Sequence, residues 1–405
     1  MSALSHYGLA VDLGTTTIEV LFDNLDTGEV VRYTILNPQY KYGKDIVSRI
    51  RSAENGRLLE MQKAVVDALN ELTAYLVADK RIAKIPRMTV CGNSVMTHIL
   101  AGVDPSGMAR APYMPKFTDL RFLRGKEIGL KDVEEVVLLP AVSAFVGSDA
   151  VAGYAAATNE KSEGATLLVD LGTNGEMIVD NGAGEIFCTS VAAGPTFEGG
   201  GIECGRGASD GAIKNIVYHK GELRFETIGS QIKGLSGSAL VDAVAILLRL
   251  RILDRDGRLS GYAKAPFQDQ LRGDRFYLTE NVYLSQKDIR SFQTSKSAVY
   301  SGIVALIEKA GLDMIDIRRV DIAGALGHNL DLANAIATGL FPRQFGRCIS
   351  LQGNASARGA LACLRSEKFI ETCLLISKKA KTVELATDPF FQKEFIANMD
   401  FFAAK

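Results

Sequence analysis

The chain has 405 residues, 47% of them hydrophobic and 23% charged, with a formal net charge of −1. That balance fits a globular protein of two or three domains and excludes a polybasic binder of nucleic acid or anionic membrane. No apolar run approaches the roughly 18 residues that span a bilayer, and the start, MSALSHYGLAVDLG, lacks the basic and cleavage features of a secretory signal. The six cysteines (Cys91, Cys188, Cys204, Cys348, Cys363, Cys373) show no Cys-x-x-Cys spacing, and the four histidines form no metal-ligand pattern. Reduced thiols in the cytoplasm are therefore expected.

In chain order, the apolar run GLAVD leads into Asp12-Leu13-Gly14-Thr15-Thr16-Thr17. A second run, TIEVLFD, a polar turn, NLDTGE, and a third run, VVRYTILNP, follow. Apolar runs broken by Gly beside Asp, Asn or Glu predict strand, hairpin, strand, turn, strand. Residues 58–77, LLEMQKAVVDALNELTAYLV, have apolar positions at helical spacing. Residues 146–157, VGSDAVAGYAAA, predict an Ala-rich helix with Ser148 or Asp149 as its cap.

The opening pattern then returns. TLLVD leads into Asp170-Leu171-Gly172-Thr173-Asn174-Gly175, then EMIVD, the turn NGAGE and IFCTSVAAGP. Beyond it lie the glycine-rich AAGPTFEGGGIECG, with Gly194 and Gly199, and KSAVYSGIVALIEKAG, a helix stopped by Gly311. VDIAGALGHNLDL reads as a strand followed by Gly324 and Gly327, and LQGNASARGALACL as a tightly packed helix of small residues. The Lys-rich stretch near Ser377 reads as a solvated helix end, and residues 262–278 as a variable decoration. Cys188 and Cys204 read as small buried residues, and His98 and His328 as ordinary hydrogen-bonded histidines.

The repeat has a chemical rationale. A Gly-Thr turn between strands carries little bulk, so backbone amides and hydroxyls approach an anion closely. An aspartate ending the preceding strand would repel bare phosphate unless a divalent cation lies between them. Two such turns, one per half, suit a polyphosphate gripped from both sides.

These segments resemble the phosphate motifs of the actin-like ATPase superfamily. The resemblance implies an α/β fold of the actin-like, ribonuclease H-like type, with two duplicated lobes, each a mixed five-stranded sheet flanked by helices. The expected divisions are residues 1–160, residues 161–385 with an inserted region at about 212–290, and a tail, 386–405, packing on the core. Asp12 and Asp170 would lie around Mg²⁺, largely through water. Gly14, Thr15, Thr16, Thr17, Gly172, Thr173 and Asn174 would hold phosphate oxygens, with Gly194 and Gly199 nearby. Gly324, Gly327 and Asn329 would line the nucleoside site. Asp149, in the first connecting helix, or Asp170 would position the attacking water. The resemblance fixes no lysine or arginine near the γ-phosphate.

A narrower resemblance covers most of the chain. CGNSVMTHILAGVDPSGMARAPYMP, LPAVSAFVGSDAVAG, AAGPTFEGGGIECG, VYLSQKDIRSFQTSKSAVYSGI and KKAKTVELATDPFFQKEFIANMDF are similar to the ATP-dependent reductive activators of corrinoid proteins. This implies an ATPase that promotes reduction of cobalt(II) to cobalt(I) in a partner corrinoid protein of a methyltransferase system. The family's N-terminal 2Fe–2S domain has no counterpart before Gly8, which leaves three readings: a separate iron–sulfur or other low-potential donor, a chain that is a fragment of a longer product, or one that has left electron transfer behind. The first is the expectation, with no cluster in this chain. Val191 stands where a related branch places its cluster cysteine. Neither nucleic acid nor membrane is an expected partner, and a homodimer is left open. Two alternatives are a nucleotide-gated binding module without a redox role and a small-molecule kinase of the same superfamily.

Overall fold

Strand β1 (Tyr7–Leu13) is buried along nearly its whole length, as befits a strand with neighbours on both edges and cover on both faces. Those neighbours are β2 (Thr17–Asn24), antiparallel, and β4 (Ile85–Gly92), parallel, with β3 (Val30–Leu36) beyond β2. The computed structural model describes residues 6–158, 164–260 and 267–402. The expected boundary at 160/161 and the first residues of the segment 262–278 lie outside these.

The chain divides into two units, residues 1–161 with 354–382, and residues 162–353 with 383–405. In the first, the sheet order is β3-β2-β1-β4-β6-β5, where β5 is Arg121–Arg124 and β6 is Val133–Leu138. This is one strand more than the five expected. The short β5 pairs antiparallel with β6 and caps that edge.

The helix Leu58–Lys80 buries Met61, Val65, Val66, Leu69 and Leu76, at the three- and four-residue spacing of one helical face. They join Leu9, Val11, Leu13 and Met88 in this unit's core. The helices Ser148–Thr158 and Ala355–Arg365 pack closely on each other. Their small residues make that approach feasible, since a Cβ on Gly359 would overlap the carbonyl of Ala152. Arg365 ties the second helix to β2 through two bonds to the buried Asp23, at 2.6 and 2.8 Å.

The second unit repeats the meander with β7 (Ala165–Leu171), β8 (Gly175–Asp180) and β9 (Ile186–Val191). The strand Ile317–Gly324 runs parallel to β7, and Ile349–Gly353 runs parallel to it in turn. The helix of KSAVYSGIVALIEKAG is longer than its apolar pattern suggests. It spans Gln286–Lys309 and starts at a capping box between Ser285 and Asp288.

Residues 212–290 contribute a three-stranded sheet, the almost wholly buried helix Gly237–Arg249 and a small antiparallel sheet. The C-terminal helix Pro389–Ala397 packs on Gln286–Lys309. There the buried Lys296 ammonium donates to the carbonyls of Asn398 and Asp400. Among the described residues no helix is long and apolar enough to cross a membrane.

Candidate functional site

The first hairpin closes at the pair Leu13 and Ile18, leaving Gly14, Thr15, Thr16 and Thr17 as its loop. Gly14 is required by closeness, because a Cβ there would sit 2.6 Å from the carbonyl oxygen of Thr17. Three carbonyls of the loop are pinned from behind. Asn37 Nδ2 donates to Gly14 O at 2.8 Å, Arg49 Nη2 to Thr15 O at 2.5 Å, and the Asn37 amide to Thr16 O at 2.9 Å. In a planar trans peptide the carbonyl of one residue and the N–H of the next point in opposite directions. Pinning these three carbonyls therefore turns the amides of Thr15, Thr16 and Thr17 away from the brace. Asn93 Nδ2 holds the Thr15 hydroxyl at 3.2 Å.

Arg49 is fully buried, and it also donates to Gly43 O, Gln39 Oε1 and Met96 Sδ. Burial lowers its pKa to about 10, so it remains charged at neutral pH. None of the bracing residues has a local sequence signal. Each is identified only by where the chain brings it.

Asp12, one residue before the end of β1, lies opposite Glu19 of β2. Its Oδ2 accepts from Asn354 Nδ2 at 2.8 Å, and Asn354 Oδ1 accepts from the Ala357 amide as the cap of the helix Ala355–Arg365. Burial, and then the negative charges of Asp149 and Glu19, push the Asp12 carboxyl up to about 7 against the bonds from Asn354 and Cys91. The Glu19 Oε1 atom is buried, 3.3 Å from Arg32 Nε but without hydrogen-bond geometry.

Asp149 stands in the first turn of its helix rather than before it, and its Oδ1 accepts from the Ala150 amide. Ser148 is the helix's first residue. Its hydroxyl bridges the amide and carbonyl of Gly92. The helix is thus entered through Gly147, where a Cβ would strike Asn93 and Asp149.

The second hairpin closes at Leu171 and Gly175, so its loop, Gly172, Thr173 and Asn174, is one residue shorter. The acidic pairing recurs, with Asp170 opposite Glu176. The Gly172 amide donates to Asn174 O at 3.0 Å. Gly324, at φ 78°, lies against Asp170, and a Cβ there would overlap its Oδ1 and the carbonyl of Leu171. A Cβ on Gly327 would come 2.7 Å from the amide of Gly353. The smallness of both glycines is thus explained by neighbouring protein atoms. Asn329 and His328 are exposed in the same loop.

A residue the sequence reading passed over joins this group. Glu198 Oε2 accepts from the Thr173 hydroxyl at 2.8 Å. It ends the short turn Pro195–Glu198, bracketed by Gly194 and Gly199 at φ 77° and 83°. Its signal in the sequence is an acid set among the glycines of AAGPTFEGGG. A Cβ on Gly199 would meet the Arg206 backbone at 2.6 Å, whereas Gly194 has only Ser295 Oγ at 3.9 Å.

The histidine and cysteine readings resolve structurally. His98 Nδ1 bonds Ser94 O at 2.6 Å and Nε2 accepts from the Lys116 amide at 3.1 Å, with the ring stacked on Phe117. Burial lowers its pKa to about 4, leaving it neutral. All six cysteines are free thiols. Cys188 is fully buried in β9 and Cys204 half-buried.

Residues 7–162 match the RACo middle region, and residues 164–405 match the C-terminal domain of RACo, the ASKHA domain. The corrinoid activation enzyme RamQ of Eubacterium limosum is 30% identical over 419 residues, spanning 98% of this chain and 70% of that protein. The Co(II) methylated amine-specific corrinoid protein reductase of Methanosarcina barkeri is 22% identical over 432 residues, 98% of this chain and 77% of the other. Among solved structures, a reductive activator for corrinoid, iron–sulfur protein superposes with a TM-score of 0.89 at 30% identity, covering 99% of this chain and 67% of that one. The fold is the actin-like ATPase fold. Two repeated Asp-Leu-Gly-Thr hairpins and similarity over the whole length lead to one assignment: the chain belongs to the RACo family of corrinoid reductive activators, with its middle region followed by its ASKHA domain.

Proposed function

We propose that this protein is an ATP-using activator that promotes reduction of cobalt(II) to cobalt(I) in a corrinoid protein of a methyltransferase system, the electron coming from an iron–sulfur donor. The observation that carries the reading is the matched pair of hairpin loops, each following an aspartate that faces a glutamate across the strands. Whole-length similarity to two proteins named for corrinoid activation or reduction supports the corrinoid part.

The chain's own residues have definable tasks. The braced loop at Gly14, Thr15, Thr16 and Thr17 and the loop at Gly172, Thr173 and Asn174 offer amides and hydroxyls to phosphate oxygens. Asn354 holds the Asp12 carboxylate in one orientation. The Asp12 carboxylate is repelled by Asp149 and Glu19. A carboxylate in so acidic a setting fits Mg²⁺, a hard cation that takes oxygen ligands. Magnesium keeps much of its hydration shell, so contact with a carboxylate through water is the expected mode. Asp12 in the first unit, and Asp170 in the second, are each suited to hold such a hydrated ion, which would supply charge neutralisation at the phosphates. Gly324 leaves room for the Asp170 carboxylate, whose Oδ1 a Cβ there would overlap.

Cobalt(II) reduction in a corrinoid is uphill for ordinary donors. A nucleotide assists only by changing the relative free energies of two states of the complex. The test is cobalt spectroscopy of a corrinoid protein with reductant, this protein and Mg-ATP, with phosphate release followed in parallel. ATP-dependent appearance of cobalt(I) with partner-stimulated phosphate release is expected. Equal cobalt(I) formation without ATP overturns the reading. A phosphorylated small molecule would support a kinase, and nucleotide binding without turnover a gated module.

A further inference from the structure

We propose that Glu198 is the catalytic base of this site, the carboxylate that positions the attacking water and takes its proton as the γ-phosphate is released. The proposal rests on the ATP-using reading above and assigns it a residue. In the step, the water oxygen bonds to the γ-phosphorus as the bond from phosphorus to the β,γ-bridging oxygen breaks. The electron pair of that bond leaves on ADP, and the water proton passes to Glu198 and then to solvent.

The geometry is specific. The Thr173 hydroxyl, at the middle of the second phosphate loop, donates to Glu198 Oε2 at 2.8 Å. This directs the carboxylate at the loop. The other oxygen lies 3.8 Å from where a Cβ on Gly172 would stand, so it faces the least encumbered residue of the cradle. Asp149, by comparison, spends one oxygen on the amide of Ala150 in its own helix.

The turn carrying Glu198 is held by residues other than Glu198. Phe197 is buried with its ring edge-on to Phe292 at 6.0 Å, and the Ser295 hydroxyl donates to Thr196 Oγ1 at 2.8 Å. The amides of Gly199 and Gly200 close the turn on Thr196 O and Pro195 O. Left-handed glycines flank it at Gly194 and Gly199. The fold therefore does not need the carboxylate as a brace. Burial raises the Glu198 pKa and the Thr173 bond opposes this, with no cationic side chain contributing among the described residues. A half-buried carboxylate without an ion-pair partner is costly unless the site uses it.

The test uses the full chain with Mg-ATP, measuring affinity for a fluorescent non-hydrolysable ATP analogue and single-turnover phosphate release. Glu198→Gln keeps an acceptor for Thr173, so nucleotide affinity should stay within about threefold while the hydrolysis rate falls about 100-fold or more, the usual range for a lost general base. Glu198→Ala should fall as far, and added formate should restore part of its rate. A Glu198→Gln protein that hydrolyses at near the wild-type rate overturns the proposal. So does joint loss of binding and turnover, or an alanine variant that formate does not rescue. A wild-type chain that binds no Mg-ATP removes the ATP-using reading itself, and this proposal falls with it. A wild-type chain that binds and hydrolyses Mg-ATP, with variants that hydrolyse it equally fast, removes only the role of Glu198.

Discussion

Asn354 Nδ2 donates to Asp12 Oδ2 at 2.8 Å, joining residues 342 positions apart, while its other amide atom caps a helix. One side chain thus starts the helix Ala355–Arg365 and orients the carboxylate before the first phosphate loop. Asn354→Ala removes both bonds and should cost about 1–2 kcal/mol. Asn354→Asp retains a good cap but sets a second carboxylate against Asp12. Two adjacent carboxyls hold one proton between them, so the loss of stability should be small at pH 5 and grow toward pH 8. Urea unfolding of both variants at the two pH values checks this. A pH-independent loss for Asn354→Asp would show that the contact with Asp12 is not made.

Asp12 should make the ligand-free fold less stable at neutral pH. Its folded pKa is raised from 3.8 to about 7. The stability it contributes is full below pH 4 and is lost as pH rises through about 7. Asp12→Asn should therefore stabilise the nucleotide-free protein at pH 8, on the order of 2 kcal/mol, and have little effect near pH 4. The same change should abolish Mg-dependent nucleotide affinity. Thermal melts across pH, paired with nucleotide titration, measure both.

Arg49 is buried beneath the loop and donates to the carbonyls of Thr15 and Gly43. Arg49→Met keeps most of the volume but orphans those carbonyls, with an expected cost of about 2–3 kcal/mol. The amides of the loop lose their alignment, so nucleotide affinity should weaken about tenfold. Arg49→Lys reaches fewer acceptors and should fall between the two. Unfolding curves and nucleotide titrations of these variants read the outcome, and an unchanged affinity in Arg49→Met would remove the bracing role.

His98 predicts an acid-side weakness. Burial holds its pKa near 4, below the usual 6.5, so the folded protein resists protonation that the unfolded chain accepts. Stability is full above about pH 6.5 and falls as pH drops toward 4, by up to about 3 kcal/mol. Asp12 titrates with the opposite sign, so the useful quantity is the difference between wild type and His98→Asn. The variant should be less stable at pH 7 and should lose the extra acid slope. Parallel slopes from pH 7 to 4.5 would contradict the assignment.

Gly324 tests packing against strain. Its Cβ would overlap Asp170 Oδ1 at a left-handed φ, whereas Gly194 shares the φ but has open space. Gly194→Ala should cost about 1 kcal/mol. Gly324→Ala should cost clearly more and lower nucleotide affinity by displacing Asp170. Equal costs for the two variants would mean that only backbone strain matters.

The repeated hairpins were legible in the sequence because they are local. Alternation of apolar residues, and glycine where a Cβ would strike the facing strand at Gly14, depend on neighbours within a few residues. The chain alone therefore determined the strands, the two loops and the aspartates before them, and the actin-like class followed from the resemblance of those segments to known phosphate motifs. Tertiary structure decided what makes those loops work. Arg49, Asn37 and Asn93 brace the first loop, Asn354 returns to Asp12, and Glu198 reaches Thr173. These partners are brought together by strand order and helix packing, and a contact between residues far apart leaves no periodic trace in the sequence around either one.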